Sequence, residues 1–572
     1  MNQHVAPRRR RALTAVTAIT TVLATVLTMG VITAATSTPS LASTPAEDPA
    51  PPAPTASLDP VPASSSAPAT GTSAPGTAPG STPGSTPATG AVTDIKNVVL
   101  VLADDLDWSL FDQVPRLAAL KAEGMTFTNN TVTDSLCCPS RTSILRSQYL
   151  HNHHVISNIE ATGGGWQTFK KLGEQRDCLP VWLKSGGVHT GLFGKYLNGY
   201  SENGRTQASI PPGWDAWAVP ASGADTYSGY NYTLNIDGRW RDFGKKQNDF
   251  LNDVITTKSV DFIRTAPDGF FLEFASYSPH SPSPVAVRNK GTHLTDAAPR
   301  TPSYNTYGTN EPTWLRRLPP LSLQRQGEMD ARWRKRAQSA ESVADSIDAI
   351  RAQLVATGRA ANTLIVVTSD NGYHLGTHRM RGGKRTAFRE DTVVPMVVIG
   401  PGIAPGSRID AMTSTVDLAP TFTELLHGQA PAWVDGRSLV PILTTGTVPT
   451  DWRTAALSES MGQSTPQDPD YQPDAPPPFS ALRTPQWLFV SYRDGERELY
   501  DLTTDPFEMN NIASTADPTL VAALNSQLQA LRSCAGAACR TADSLPVPLT
   551  LEQQAAVAGP SAQASTGTAP VG

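Results

Sequence analysis

The run Asn97-Val98-Val99-Leu100-Val101-Leu102 is apolar at every position after the first. A strand that meets water on one face alternates apolar with polar residues. A run without alternation suits a strand covered on both faces, as in the parallel sheets of α/β proteins. The same texture returns at 269–277 (GFFLEFASY), 363–368 (TLIVVT) and 394–399 (VPMVVI). Helical patterns lie between these runs. Val343, Ile347, Ile350 and Leu354 fall on one helix face, and Gly358 closes that helix. Buried strands alternating with amphipathic helices predict a doubly wound α/β core over residues 93–450. The pattern changes after about 450. Short strand signals at 487–491 and 496–500 precede a helical stretch at 517–533, which predicts a smaller C-terminal α+β subdomain over 451–544.

The flanks are of another kind. Arg8 to Arg11 form a basic start, Ala12 to Ala35 is uncharged and mostly apolar, and Ala42 offers a small-residue cleavage point. Residues 1–42 therefore read as a signal peptide, with the Sec and twin-arginine routes both open. The many Thr and Ala residues make this run a weak membrane span, and no stable span is expected after cleavage. Residues 43–92 consist largely of Pro, Ala, Ser, Thr and Gly and lack any aromatic residue. Such a segment cannot bury enough apolar surface to order itself, so it reads as a disordered linker. Residues 545–572 read as a similar tail. The formal charge is −5, and loss of the four signal arginines makes it more negative. This excludes a nucleic-acid binder, which needs a basic excess. The expected location is secreted or associated with the cell wall.

Chemistry-bearing residues gather at the ends of the predicted strands. Asp104 and Asp105 end the first, and Asp370-Asn371 follows the run at 363–368. Sites in open α/β sheets form beyond the carboxyl ends of strands. Oxygen donors at two such ends could hold a hard cation, Ca²⁺ or Mg²⁺ in preference to zinc, although each acid could equally cap a turn or a helix. Cys137-Cys138-Pro139-Ser140-Arg141 follows, and then Tyr149-Leu150-His151-Asn152-His153-His154. Two buried structural cysteines would explain the pair but not the Pro-Ser-Arg beside it. The histidines are expected to structure the loop after that segment, not to bind zinc. Cys534 and Cys539 read as a short disulfide loop, and Cys138 with Cys178 as a weaker candidate pair.

This assembly resembles the sulfatase family, whose signature Cys-x-Pro-Ser-Arg is matched in full by Cys137 to Arg141. The resemblance covers most of 93–515. It includes Asp104-Asp105, Gly194-Lys195-Tyr196-Leu197-Asn198, Ser278-Pro279-His280-Ser281-Pro282, Asp370-Asn371-Gly372-Tyr373-His374, Gly383-Lys384-Arg385 and Leu499-Tyr500-Asp501-Leu502. The form of the signature, with Tyr-x-His-Asn-His after it, is most similar to N-acetylglucosamine-6-sulfatases and extracellular heparan-sulfate sulfatases. Two places differ. Leu145-Arg146-Ser147 stands where the family usually has Leu-Thr-Gly. Lys195-Tyr196-Leu197 stands where many members have Lys-x-His, a form that the glucosamine-6-sulfatase branch shares.

The resemblance implies an alkaline-phosphatase-like fold and hydrolysis of a sulfate ester. It implies that Cys137 is oxidised to formylglycine by a formylglycine-generating enzyme. One hydroxyl of the aldehyde hydrate would attack sulfur, and the other would then expel sulfate by re-forming the aldehyde, which a serine could not do. Asp104, Asp105, Asp370, Asn371 and the modified Cys137 would hold Ca²⁺, with Mg²⁺ as the alternative. Lys195 and Lys384 would neutralise sulfate oxygens, Arg141 would orient the hydrate, and His280 would protonate the leaving oxygen. His374 would line the substrate pocket with Lys195, His280 and Lys384. The implied substrate is a sulfated carbohydrate or another small sulfate ester. Two rivals stand beside this reading: a phosphate or phosphonate ester hydrolase of the same superfamily, and a catalytically silent tethered binding protein.

Overall fold

Strand β1 (Asn97–Asp104) is buried at all eight positions. Its side chains divide between two cores. Val98, Leu100 and Leu102 point into one, while Val99, Val101 and Ala103 point into the other. The unbroken apolar run thus reflects two covered faces, because successive side chains of a strand alternate sides. The computed structural model describes residues 92–201, 209–468 and 470–546. The expected signal peptide, nearly all of the linker and most of the tail lie outside these residues. No helix among the described residues is long and apolar enough to cross a membrane.

The further strands are β2 (Met125–Thr131), β3 (His189–Gly194), β4 (Ala216–Pro220), β5 (Thr233–Ile236), β6 (Arg239–Asp242), β7 (Phe270–Pro279), β8 (Thr363–Ser369), β9 (Met396–Ile399) and β10 (Arg408–Ser414). With β1 they form a ten-stranded sheet in the order β10-β2-β9-β8-β1-β7-β3-β4-β5-β6. The centre is parallel: β1 pairs with β7 and β8, and β3 pairs with β7 and β4. Strand β9 runs antiparallel to β8 and β2, and β5 antiparallel to β4 and β6, so the sheet is mixed. One face is covered by the helices Leu251–Thr265 and Leu323–Ala356. The other carries the helices Cys137–Arg146 and Leu418–Leu425.

The helix predicted around 343–354 begins twenty residues earlier, at Leu323. Its N-terminal turns are largely polar, so the hydrophobic stripe marks only the part that packs on the sheet. Gly358 takes φ +70° just beyond its last turn, where a side chain would be strained. A second sheet, antiparallel, comprises β11 (Ala456–Ser460), β12 (Phe479–Arg483), β13 (Trp487–Tyr492) and β14 (Arg497–Asp501). The sequence signals corresponded to β13 and β14. Strands β11 and β12 are five residues each and are separated by a Pro-rich loop that hides their pairing. The helix Pro518–Arg532 sets Leu520, Leu524, Leu528 and Leu531 against Leu457, Leu482, Phe489 and Leu499. Cys534 and Cys539 form a disulfide, whereas Cys138 and Cys178 are free buried thiols, which corrects the suggested second pair. Cys178 Sγ instead faces the Gln175 carbonyl at 3.6 Å.

Arg453 links the two sheets' surroundings. Its side chain is fully buried and grips Asp417, at the start of the 418–425 helix, through both terminal nitrogens. Its Nε lies 3.0 Å from Asp543 near the C-terminal end of the described residues. Removing the cation would leave two buried carboxylates poorly compensated. Arg453→Leu is therefore expected to lower stability by about 3–5 kcal/mol, read as a fall in the urea midpoint. A change below about 0.5 kcal/mol, the ordinary scatter of a surface substitution, would refute this role.

Candidate active site

The parallel register explains why distant residues meet. Ala103 of β1 pairs with Ser369 of β8, so Asp104-Asp105 and Asp370-Asn371 leave the sheet side by side. Asp104 also pairs with Pro279 of β7, which brings His280 to the same edge. Lys195 follows the end of β3, the next strand over, and its N–H donates to the Ala275 carbonyl of β7 at 2.8 Å. Four neighbouring carboxyl ends thus supply one cluster, as expected for an open α/β sheet. Asp105 takes φ +67°, a conformation uncommon for a residue with a side chain. Its N–H points to Asp370 Oδ1 at 3.3 Å, and this turn directs the carboxylate into the cluster.

Cys137 begins the 137–146 helix above this edge. Its Sγ lies 3.3 Å from Asp104 Oδ1 and 2.8 Å from Lys384 Nζ. Lys195 Nζ donates to Asp104 Oδ2 at 2.6 Å, and Lys384 Nζ to Asp105 Oδ1 at 2.7 Å. Arg141, one helical turn after Cys137, donates from Nε to Asp370 Oδ2 at 2.7 Å and from Nη1 to the Lys195 carbonyl at 2.9 Å. His280 Nδ1 faces the Ser281 carbonyl at 2.6 Å, and its Nε2 faces the site, 3.7 Å from Asp105 Oδ2. All these side chains are buried.

Burial opposes charge, yet the ion pairs prevail. It pulls both lysines down, but Asp104 and Cys137 hold Lys195, and Asp105 and Asp470 hold Lys384, well above the usual value. Burial likewise lowers His280, and Asp104, Asp105 and Asp470 more than reverse it, favouring the imidazolium. Asp370 moves the other way. Burial raises it, but Arg141, Lys195 and Lys384 bring it below the ordinary carboxylate range. The Cys137 thiol is pushed well up, first by burial and then by Asp104.

Asp104, Asp105, Cys137 and His280 each bring a ligand-type atom within 4.8 Å of the others. Two buried oxygens in the cluster, Asp105 Oδ2 and Asn371 Oδ1, have no hydrogen-bond partner. Unsatisfied buried oxygens beside several carboxylates fit a hard cation. The oxygens of Asp370 are already engaged by Arg141 and by the N–H groups of Asp105 and Asn371.

His374 is buried with Nδ1 on Asp391 at 2.9 Å, and its main chain pairs with Gly383 in both directions. It thereby clamps the segment that carries Lys384. His151 and His153 structure their loop: His151 bonds Glu459 and the Cys534 carbonyl, and His153 bonds Ser143. His154 is exposed at φ +58°. Ser147, where the family usually has Gly, ends the helix at φ +54°, and its hydroxyl donates to the Val416 carbonyl at 2.6 Å. The hydrogen bond helps a residue with a side chain hold a backbone position that favours Gly.

Several site residues had no readable signal. Tyr227 packs its ring 4.6 Å from that of His280 and lies 5.4 Å from Lys195 Nζ. Asn158 accepts from the Cys138 N–H and donates to Asp468 and Asp470. Asp470 contacts both His280 and Lys384. Asn158 and Asp470 sit in loops and Tyr227 in the short helix Ala224–Ser228, each in an ordinary sequence neighbourhood.

A family model for sulfatases matches residues 96–428, and one for the C-terminal part of N-sulphoglucosamine sulphohydrolase matches 376–534. The N-acetylglucosamine-6-sulfatase of Capra hircus is 34% identical over 478 residues, covering 78% of this chain and 85% of that protein. The extracellular sulfatase SULF-1 homolog of Drosophila melanogaster is 32% identical over 380 residues, covering 64% of this chain and 33% of that one. A solved structure in complex with its substrate D-glucosamine-2-N,6-O-disulfate superposes with a TM-score of 0.65 at 22% identity, covering 79% of this chain and 99% of that one. The phosphonate monoester hydrolase of Agrobacterium radiobacter gives 0.60 at 19%, covering 77% and 95%. The fold is the alkaline-phosphatase-like one, with a C-terminal antiparallel subdomain. The chain belongs to the sulfatase family. It is a sulfuric ester hydrolase.

The cluster predicts a measurable cation response. Protein stripped with a chelator should gain thermal midpoint when a divalent cation is returned, because a ligand that binds only the folded state stabilises it. Asp105→Asn should lose most of that gain. An equal gain in both proteins would place the cation elsewhere.

Proposed function

We propose that this chain is an exported sulfatase that removes a 6-O-sulfate from an N-acetylglucosamine-like sugar. The observation that carries the reading is the meeting of Cys137, Lys384, Lys195 and His280 at four adjacent strand ends. The sugar is suggested by the relative named N-acetylglucosamine-6-sulfatase and by the likeness around Cys137. Export is suggested by residues 1–42 and by the relative named as an extracellular sulfatase. The domain limits proposed are 93–450 for the sheet domain and 451–544 for the subdomain.

The roles follow from position. A formylglycine-generating enzyme would convert Cys137, giving a hydrate whose second hydroxyl permits release of the bound sulfate. Asp104, Asp105, Asn371 and the modified residue 137 would hold Ca²⁺, with Asp370 beside them and Mg²⁺ as the alternative. The ion, when bound, supplies positive charge to a sulfate oxygen and to the nucleophile. Lys384 lies 2.8 Å from Sγ of residue 137, so its ammonium sits where charge on the sulfate oxygens must be neutralised. Lys195 does the same from the β3 side. Arg141 fixes Asp370 and the Lys195 main chain, which holds the cluster in register. His280 keeps Nδ1 on a carbonyl, leaving Nε2 to give its proton to the departing sugar oxygen.

Peptide mass spectrometry across residues 137–141 is expected to find an aldehyde at 137, and Cys137→Ala is expected to lose turnover while Cys138→Ala keeps most of it. Parallel rates on 6-O- and 2-O-sulfated disaccharides and on aryl sulfate and aryl phosphate test the substrate. Preference for phosphate would replace the sulfate reading, and preference for 2-O-sulfate would replace the sugar.

His280→Ala should cost far more on an alkyl sugar sulfate than on an aryl sulfate, since a phenolate departs without a proton. General acid catalysis is typically worth about 10²–10⁴-fold. Equal losses on the two ester types would remove His280 as proton donor.

A further inference from the structure

Asp470 lies outside every motif in the sequence, in Gln467-Asp468-Pro469-Asp470, yet its carboxylate reaches the middle of the site. Its Oδ1 is 2.9 Å from His280 Nε2. Its Oδ2 is 3.2 Å from Lys384 Nζ, 2.9 Å from Asn158 Nδ2 and 3.8 Å from Cys137 Sγ. The side chain is only 8% exposed. Asp468 accepts the Asp470 N–H at 2.9 Å, shares Asn158 Nδ2 at 3.2 Å, and faces Arg385 at 3.4 Å. The placement is therefore built from several contacts, not from one surface encounter.

The nitrogen that Asp470 chooses is informative. A carboxylate that orients a catalytic imidazole binds the nitrogen facing away from the substrate. In His280 that nitrogen, Nδ1, is already on the Ser281 carbonyl. Asp470 instead covers Nε2, the nitrogen that has to meet the leaving oxygen. Its other oxygen rests on the ammonium assigned to a sulfate oxygen, close to the atom that would attack. One carboxylate thus spans the positions of both the leaving oxygen and the sulfate.

We propose that Asp470 is a built-in competitor of the substrate sulfate: it satisfies Lys384 and His280 in the ligand-free protein and must yield both when the ester binds. This rests on the sulfatase reading of Lys384 and His280. The competition has a physical basis in like charge. Two anions cannot share these donors at contact distance without repulsion. Lys384 also holds Asp105 Oδ1 at 2.7 Å, so it stays paired when Asp470 withdraws, whereas His280 Nε2 is then left with Asp105 Oδ2 at 3.7 Å.

Inorganic sulfate is the probe. Its dissociation constant would be measured by calorimetry on the metal-loaded wild type, Asp470→Asn and Asp470→Ala. The Asn variant removes the charge and keeps the shape. Sulfate is expected to bind about tenfold more tightly or better in both variants, about 1.4 kcal/mol, with KM for an aryl sulfate falling in parallel. Unchanged or weaker sulfate binding in folded variants overturns the proposal, and weaker binding would make Asp470 part of the substrate surface. Wild-type protein supplies an independent check. Saturation with sulfate should accelerate amide hydrogen exchange at 470–472 as the carboxylate is released, and unchanged or slower exchange there counts against displacement. The two readings fail separately. Sulfate-ester hydrolysis with unaltered sulfate affinity removes the competition alone. Tighter sulfate binding by the variants, without hydrolysis of any sulfate ester, removes the assigned substrate and leaves the competition standing.

Discussion

Charge compensation in a dry interior is the constraint on which this molecule is organised. Asp104, Asp105 and Asp370 leave the sheet within hydrogen-bond reach of Lys195, Lys384 and Arg141, and all six are buried. Burial favours the neutral form of the two lysines, and the carboxylates beside them reverse that. The group is therefore cooperative: Asp104 and Asp105 keep the two lysines charged, and Arg141, Lys195 and Lys384 keep Asp370 charged. Such a cluster has little net stabilising value compared with apolar packing. Its presence in the core of a large enzyme makes sense as chemistry, since a preorganised field is what a developing anionic transition state requires.

The sheet makes that cluster possible. β8, β1, β7 and β3 are parallel neighbours, so their carboxyl ends open on one side and their loops emerge together. The apolar runs bury both faces of these strands and fix the register, because a shift by one residue would exchange the two cores. A register shift of one would also move Asp104 out of line with Pro279 and Asp105 away from Asp370. The same hydrophobic packing that folds the chain consequently sets which residues meet in the site. The loops contribute the remaining parts. Gly383-Lys384 is held by His374, itself fixed on Asp391, and Asn158 ties the signature helix to the loop that bears Asp470.

The second sheet serves the first. Through Arg453, Asp417 and Asp543 it is joined to the helices behind the site, and the loop between β11 and β12 carries Asp468 and Asp470 over the cluster. A subdomain remote in sequence thus places a carboxylate opposite His280.

What the sequence determined by itself was everything encoded locally. Apolar runs named the buried strands, because burial on two faces removes alternation. The signature at Cys137 to Arg141 and the acids at strand ends pointed to the family, because each is a short pattern read without knowing the fold. The disulfide of Cys534 and Cys539 was legible for the same reason of closeness in sequence. The tertiary structure alone decided what depends on contact between distant segments. It extended the 323–356 helix through turns with little hydrophobic stripe, paired β11 with β12 across a proline-rich loop, and left Cys138 and Cys178 as free buried thiols. It set His374 against Asp391 and laid Tyr227 against His280. It also brought Asp470 across 190 residues to His280. An aspartate in a polar loop carries no local mark of such a role, since its significance arises only from the field of the residues it meets after folding.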